Sequence, residues 1–167
     1  GFLPGLRERC HAHGALLILD EIYTGFGRTG RWFACEHESV TPDLICVGKA
    51  LTGGFPLSAC IGSSKVMDEA WPRSTGEAMH TSTFLGHPVG CAMALAQLDL
   101  LKSRDLDRAS HRQGEGWLKE LQERFYSMGN RVKVRGRGLM MGIELLDVRG
   151  LPDGAKVVDW MPDVELS

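Results

Sequence analysis

Two short runs without a polar residue, Leu16 to Leu19 and Leu44 to Val47, constrain this chain more than any other feature. Each stops on charge: Asp20 and Glu21 follow the first, and Gly48 and Lys49 follow the second. A run that does not alternate fits a strand covered on both faces, the habit of parallel sheets. Two such strands in one sheet need a crossover, and residues 21 to 43 leave room for it. Open α/β sheets bind ligands at the carboxyl ends of their strands. Asp20 and Lys49 are therefore expected where a cofactor or substrate would sit.

Leu6 to His13 reads as the end of a helix, with Gly14 as its stop. Beyond the glycine-rich stretch GFGRTG, where Arg28 is expected to brace the loop, Gly53, Gly54 and Pro56 predict a turn and Leu57 to Ile61 a third strand. Pro88 suits the first turn of a helix, and the chain from there to Leu101 is almost wholly apolar, which predicts a buried helix. Ser103 and Asp105 stand where they could cap the next one, along which Trp117, Leu121, Phe125 and Met128 recur at helical spacing as a core stripe. Val132 and Val134 alternate, a glycine turn follows, and Leu139, Met141, Ile143 and Leu145 share a face, the pattern of a β-hairpin. Helix and strand in alternation predict an α/β fold. The shift near Ser103 from continuous to half-apolar elements predicts residues 1–102 as part of a large domain and 103–167 as part of a small α+β domain.

Composition narrows the function. With 19 basic and 21 acidic residues mixed along 167, the chain offers no basic stripe for nucleic acid and no polybasic membrane patch. No apolar run approaches the roughly 18 residues of a membrane span. A small metabolite is the natural partner. Five scattered cysteines without a CxxC pair suit reduced thiols in a cytoplasmic setting, and Cys46 and Cys60, inside apolar strands, are expected in the core. His11, His13, Cys35 and His37 show no metal-ligand spacing and read as solvated or capping groups.

A lysine amine beside a buried strand end is desolvated, which favours its neutral, nucleophilic form and suits Schiff-base chemistry. Pyridoxal 5'-phosphate (PLP) needs such a lysine, a carboxylate for its ring nitrogen and an anion site for its phosphate. Lys49, Asp20 and the hydroxyls of Ser82 and Thr83, just ahead of Pro88, answer those three needs.

The segments LILDEIYTGFGRTG, PDLICVGKALTGGFPLSACIG and HTSTFLGHPVGCAMALAQL resemble, in order and spacing, the signature segments of class III (omega-type) aminotransferases, PLP enzymes of fold type I. The resemblance runs through VRGRGLMMGIEL and covers nearly the whole chain. It implies the latter part of the large-domain sheet followed by the start of the small domain. It assigns Asp20 to the pyridinium nitrogen, Ile22 to one ring face, and Lys49 to the Schiff base and the proton transfer. Thr83, with Ser82, would reach the phosphate of the neighbouring subunit's cofactor, which implies a homodimer.

Tyr23 stands where the family usually has Gln, near the cofactor's phenolic oxygen, and its hydroxyl could donate the same hydrogen bond. His87 replaces a common Asn, as a helix cap. The family's glycine-serine phosphate loop, the aromatic stacked on the other ring face and its gating glutamate would precede residue 1, and its carboxylate-clamping arginine would follow Ser167. The chain is thus expected to be part of a longer enzyme, whose missing start leaves organellar targeting open. The implied activity moves an amino group from an amino acid or amine donor to a keto acid or aldehyde. An aminomutase, a PLP decarboxylase and a catalytically silent fold relative are the alternatives, and the last has no need to keep Lys49 beside Asp20 and Thr83.

Overall fold

The computed structural model describes residues 1–72, 76 and 80–145. Parts of the polar stretch before Pro88, and the chain after Leu145, lie outside the described residues. Helix α1 (Phe2–Ala12) is a full helix of which the sequence shows only the end, and Gly14 turns the chain away from it at φ +64°. Strand β1 (Ile18–Asp20) follows. It pairs parallel with β2 (Leu44–Val47), which pairs antiparallel with β3 (Ala59–Gly62), so β2 is the middle strand. The second strand lies where its apolar run predicts. The third begins two residues late, after a turn in which the Thr52 hydroxyl donates to the Phe55 carbonyl and Pro56 has no N–H to offer a ladder.

Full coverage is reached in β2 at Val47 alone, its other residues being half-buried, and fails for β1. Val47 is fully buried, a contribution of about 2 kcal/mol. Ile18 is 56% exposed, because β1 is an edge strand and nothing among the described residues covers its second face. The core gathers Phe26, Val47, Leu51, Ala94 and Leu101, with Ile45, Leu57, Leu98 and Leu106 packed around it. Cys60 is exposed and Cys46 half-buried, contrary to the expectation for these thiols; the buried cysteine is Cys35.

A short helix α2 (Ser64–Ala70) starts on Ser63, whose hydroxyl oxygen accepts the Val66 N–H. Helix α3 (Pro88–Ser103) begins on its proline, and His87 caps it as expected, its Nδ1 accepting the Gly90 N–H at 3.5 Å. The helix is not buried all round. Gly90, Ala94 and Leu101 face the core while Val89 and Leu95 are exposed, since α3 packs on one side only, with Gly90 close against Phe55 and Leu57.

Helix α4 (Leu106–Phe125) follows a tight reversal. Asp105 holds the N-cap position with a left-handed backbone and makes no capping bond, and the Ser103 hydroxyl donates back to the Leu100 carbonyl, so neither caps α4. Of the expected stripe, Leu121, Phe125 and Met128 are half-buried and Trp117 is exposed. The buried positions of α4 are Ser110 and Gly114, small because other backbone passes close to them. Strands β4 (Val132–Arg137) and β5 (Met140–Leu145) form the expected hairpin, in register from Val132↔Leu145 to Arg137↔Met140. Leu139 lies in its two-residue turn after Gly138, at φ +54°, rather than on the face with Met141.

Candidate active site

The ends of β1 and β2 bring the expected residues together. Asp20 lies beside Cys46, and the Glu21 N–H donates to the Cys46 carbonyl at 2.9 Å, so the parallel pairing closes just short of Lys49. The chain leaves β1 through a turn in which Asp20 Oδ1 accepts the Ile22 N–H at 2.9 Å, fixing the carboxylate. Ile22 then rests against the other strand's exit: a Cβ on Gly48 would lie 3.6 Å from its Cγ2. Lys49 has φ +44°, a left-handed backbone that costs an L-residue about 1 kcal/mol. Its Nζ stands 3.4 Å from the centroid of the Tyr23 ring, a cation–π contact. Both side chains line a cavity of about 290 Å³ with Ile22, Arg28, Ala50, Leu139, Met140 and Met141. Lys49 is exposed, contrary to the desolvation expected of it, and among the described residues the Tyr23 ring lies against its amine.

Glu21, the second carboxylate of the opening motif, has a different task. It is 3% exposed, and its oxygens accept the Ala34 N–H at 3.0 Å, the Cys35 N–H at 2.9 Å and the Thr24 hydroxyl. The turn from residue 21 to 35 is thus closed on a buried charge whose lone pairs are filled. Burial first, and the nearby Glu21 second, push the Cys35 thiol up to about 11.

The middle of that loop is held from outside. The Arg28 carbonyl accepts the Ser110 hydroxyl at 3.1 Å and the Leu139 N–H at 2.9 Å, so α4 and the β4–β5 turn meet on it. Arg28 braces the loop as expected, but through its backbone, while its side chain lines the cavity. A Cβ on Gly138 would stand 2.5 Å from the Gly30 nitrogen, and one on Gly114 2.0 Å from the Gly138 oxygen. His37 Nε2 lies 3.0 Å from the Thr29 carbonyl oxygen and 3.1 Å from its hydroxyl, so this histidine braces the loop rather than standing in solvent or capping a helix. No cluster of potential metal ligands exists among the described residues.

Ile22, Tyr23 and Lys49 therefore share one cavity, and Asp20 ends the adjacent strand, tied to Ile22 through its carboxylate. Ser82 and Thr83 are not with them: both are exposed in the turn before α3, where the Leu85 N–H donates to the Ser82 carbonyl, and neither lines the Lys49 cavity. Sequence reasoning missed the roles of Glu21, Ser110, Leu139 and Met140. For Glu21 a signal existed, since the alternation of a strand sends it to the face opposite Asp20. The others come from distant parts of the chain and carry no local signal.

Comparison with known proteins gives the family. The family model for class-III aminotransferases matches residues 1–152. The chain is 44% identical over 149 residues to the acetylornithine aminotransferase of Methanopyrus kandleri, covering 88% of this chain and 36% of that protein. The solved ornithine aminotransferase of Toxoplasma gondii ME49 superposes with a TM-score of 0.79 at 38% identity, over 87% of this chain and 34% of its own. A second Toxoplasma gondii structure is described with partial occupancy of PLP at its active site. The acetylornithine aminotransferase of Elizabethkingia anophelis gives a TM-score of 0.78 at 39% identity, over 88% of this chain and 36% of its own. The chain belongs to the class-III aminotransferase family, and its fold is the α/β fold of type I PLP-dependent aminotransferases. It spans about a third of the length of these relatives.

Proposed function

We propose that this chain supplies the lysine-bearing core of a PLP-dependent aminotransferase, moving an amino group from an amino acid or amine donor to a keto acid or aldehyde. One observation carries the reading: Lys49 and Asp20 leave adjacent parallel strands at the same end, with Ile22 resting against Gly48 between them. The donor set fits the cofactor, offering an amine, a carboxylate with a fixed oxygen, and an apolar side chain, Ile22, at the exit of β2. PLP supplies an aldehyde that captures amines and a pyridinium ring that takes up electrons when a bond at the substrate carbon breaks.

Lys49 would hold the cofactor through Nζ. Once displaced by the incoming amine, the same nitrogen would take up and return the proton of the substrate carbon. The Asp20 carboxylate would keep a proton on the ring nitrogen, Ile22 would cover one ring face, and the Tyr23 hydroxyl would donate to the phenolic oxygen. Ser82 and Thr83, exposed and away from the Lys49 cavity, suit the phosphate of a neighbouring subunit's cofactor and hence a homodimer. The domains would divide near Ser103, where the chain passes from the three-stranded sheet towards the hairpin. The names of the relatives favour ornithine-type donors as the first substrates to test, and free thiols favour the cytoplasm.

Borohydride reduction of the full-length protein after incubation with PLP tests the reading. A pyridoxyl group on Lys49 alone is expected. A folded full-length protein without label there would retire the aminotransferase and favour a silent fold relative. In the labelled enzyme, Asp20→Asn is expected to slow the half-reaction by several powers of ten, on the order of the largest losses seen when a transition-state charge loses its partner. Product analysis with a donor and a keto acid separates transamination from mutase and decarboxylase chemistry.

A further inference from the structure

Cys46 and Cys60 stand directly opposite each other on β2 and β3. Which kind of antiparallel pair they form can be read from the other edge of β2. The Cys46 carbonyl accepts the Glu21 N–H, and the Leu44 N–H donates to the Leu17 carbonyl, so the backbone groups of residues 44 and 46 point towards β1. A residue in a strand aims its N–H and C=O at one edge, which leaves Cys46 with none for β3. Cys46 and Cys60 are therefore a non-hydrogen-bonded pair, the closer of the two antiparallel kinds, with Cα atoms about 4.5 Å apart. That separation falls at the short end of the roughly 4.4–6.8 Å that a disulfide spans. Residues in lateral register share a face of the sheet, and Asp20 is in register with Cys46 on the other side. The row runs Asp20, Cys46, Cys60.

We propose that Cys46 and Cys60 form a dithiol site that a hydroperoxide oxidises to a reversible cross-strand disulfide. Of the two thiols, Cys60 reacts first. Its sulfur takes one peroxide oxygen as the O–O bond breaks, becoming a sulfenic acid while the first water leaves. The Cys46 sulfur then attacks it: the S–S bond forms, the S–O bond breaks, and the hydroxide leaves with the Cys46 proton as a second water. Two thiols give up two electrons, and hydrogen peroxide is reduced to two waters. Cys46 suits the second role, since burial, then the charge and hydrogen bonding of Cys60, then the charge of Asp20, push its thiol up and hold back its own reaction with oxidant. The site is independent of whether Lys49 binds a cofactor.

The test treats the full-length protein with excess hydrogen peroxide for a fixed time, alkylates the remaining thiols and maps unreduced peptides. A linked pair joining Cys46 to Cys60 is expected, converted back to two alkylatable thiols by dithiothreitol. In Cys60→Ser the linked pair should vanish and Cys46 should remain alkylatable. Recovery of Cys46 and Cys60 from the wild-type protein as separate alkylated or singly oxidised residues would overturn the proposal, as would linkage of either to another cysteine. Because the deciding result is read on the wild-type protein, misfolding of the variant cannot mask it.

Discussion

The loop from Glu21 to Cys35 and the segment from His80 to His87 are both short, turn-rich and adjacent to residues a cofactor would need, yet they are held by different means. In the loop, Glu21, Phe26, Gly27, Thr29, Gly30 and Cys35 are buried, and the ties reach as far as Ser110 and Leu139. In the segment, every residue from Thr81 to Gly86 is exposed, Phe84 is 71% so, and the backbone bonds are local ones, Leu85 to Ser82 and His87 to Phe84. A loop that fills its own hydrogen bonds and burial is a finished part of this chain. Within the described residues the segment from Thr81 to Gly86 has neither that burial nor those long-range ties.

The sharpest way to break this contrast is to add one methyl group in each region. Gly138 and Gly86 both have φ near +60°, so alanine strains the backbone equally at either position. Gly86 has open space around its Cβ direction, whereas a Cβ on Gly138 meets Thr29 and Gly30 backbone at 2.5 Å. Gly86→Ala should cost about 1 kcal/mol from the left-handed backbone alone. Gly138→Ala should cost about 3 kcal/mol or more, because the β4–β5 turn must also lift off the loop. Urea unfolding of the full-length protein decides it, and equal losses would mean that the loop is not pinned by the hairpin.

A smaller effect is expected from the polar ties. Glu21→Ala leaves the Ala34 and Cys35 N–H groups without their acceptor and should cost about 2–3 kcal/mol. Ser110→Ala removes one hydroxyl from a carbonyl that keeps the Leu139 N–H, so about 1 kcal/mol is expected. Ser82→Ala, with its side chain exposed, should stay within about 0.5 kcal/mol in the same unfolding measurement.

The same contrast explains what could be read from the chain in advance. The position of β2, the pairing of Asp20 with the end of β1 and the approach of Lys49 follow from local patterns: apolar runs, their length and the residues that end them. The hairpin and the His87 cap were legible for the same reason. What failed depended on neighbours distant in sequence. Continuous apolarity predicted burial for Ile18, Val89 and Leu95, but burial needs a second surface, and the described chain gives these side chains none. Asp105 looked like a cap by composition, while the reversal after α3 put its backbone in the left-handed region. Strand alternation sends Glu21 to the face opposite Asp20, but what it holds there, the N–H groups of Ala34 and Cys35, arrives from further along the chain. The strand ends that carry Asp20 and Lys49 were therefore readable, whereas the bracing of the loop and the far wall of the cavity, from Leu139 to Met141, were not.

The least of the expected effects is a pH dependence confined to the loop. His37 reaches Thr29 with Nε2, and burial lowers its pKa, with Arg137 and Arg31 adding to the decrease against the opposing backbone hydrogen bond and Glu36. A histidine whose folded pKa lies below its unfolded value of about 6.5 binds more protons when unfolded. Its contribution is full above that unfolded value and is lost as the pH falls through 6.5 towards the folded value. The urea midpoint of the full-length protein should therefore fall between pH 8 and pH 5, and His37→Gln should flatten part of that slope. Hydrogen exchange should locate the loss, with amides of residues 27 to 31 opening faster at the lower pH after correction for the intrinsic rate, while those of residues 81 to 86 keep theirs. Equal acceleration in both regions would mean that acid loosens the whole chain and that His37 is no special tie of the loop.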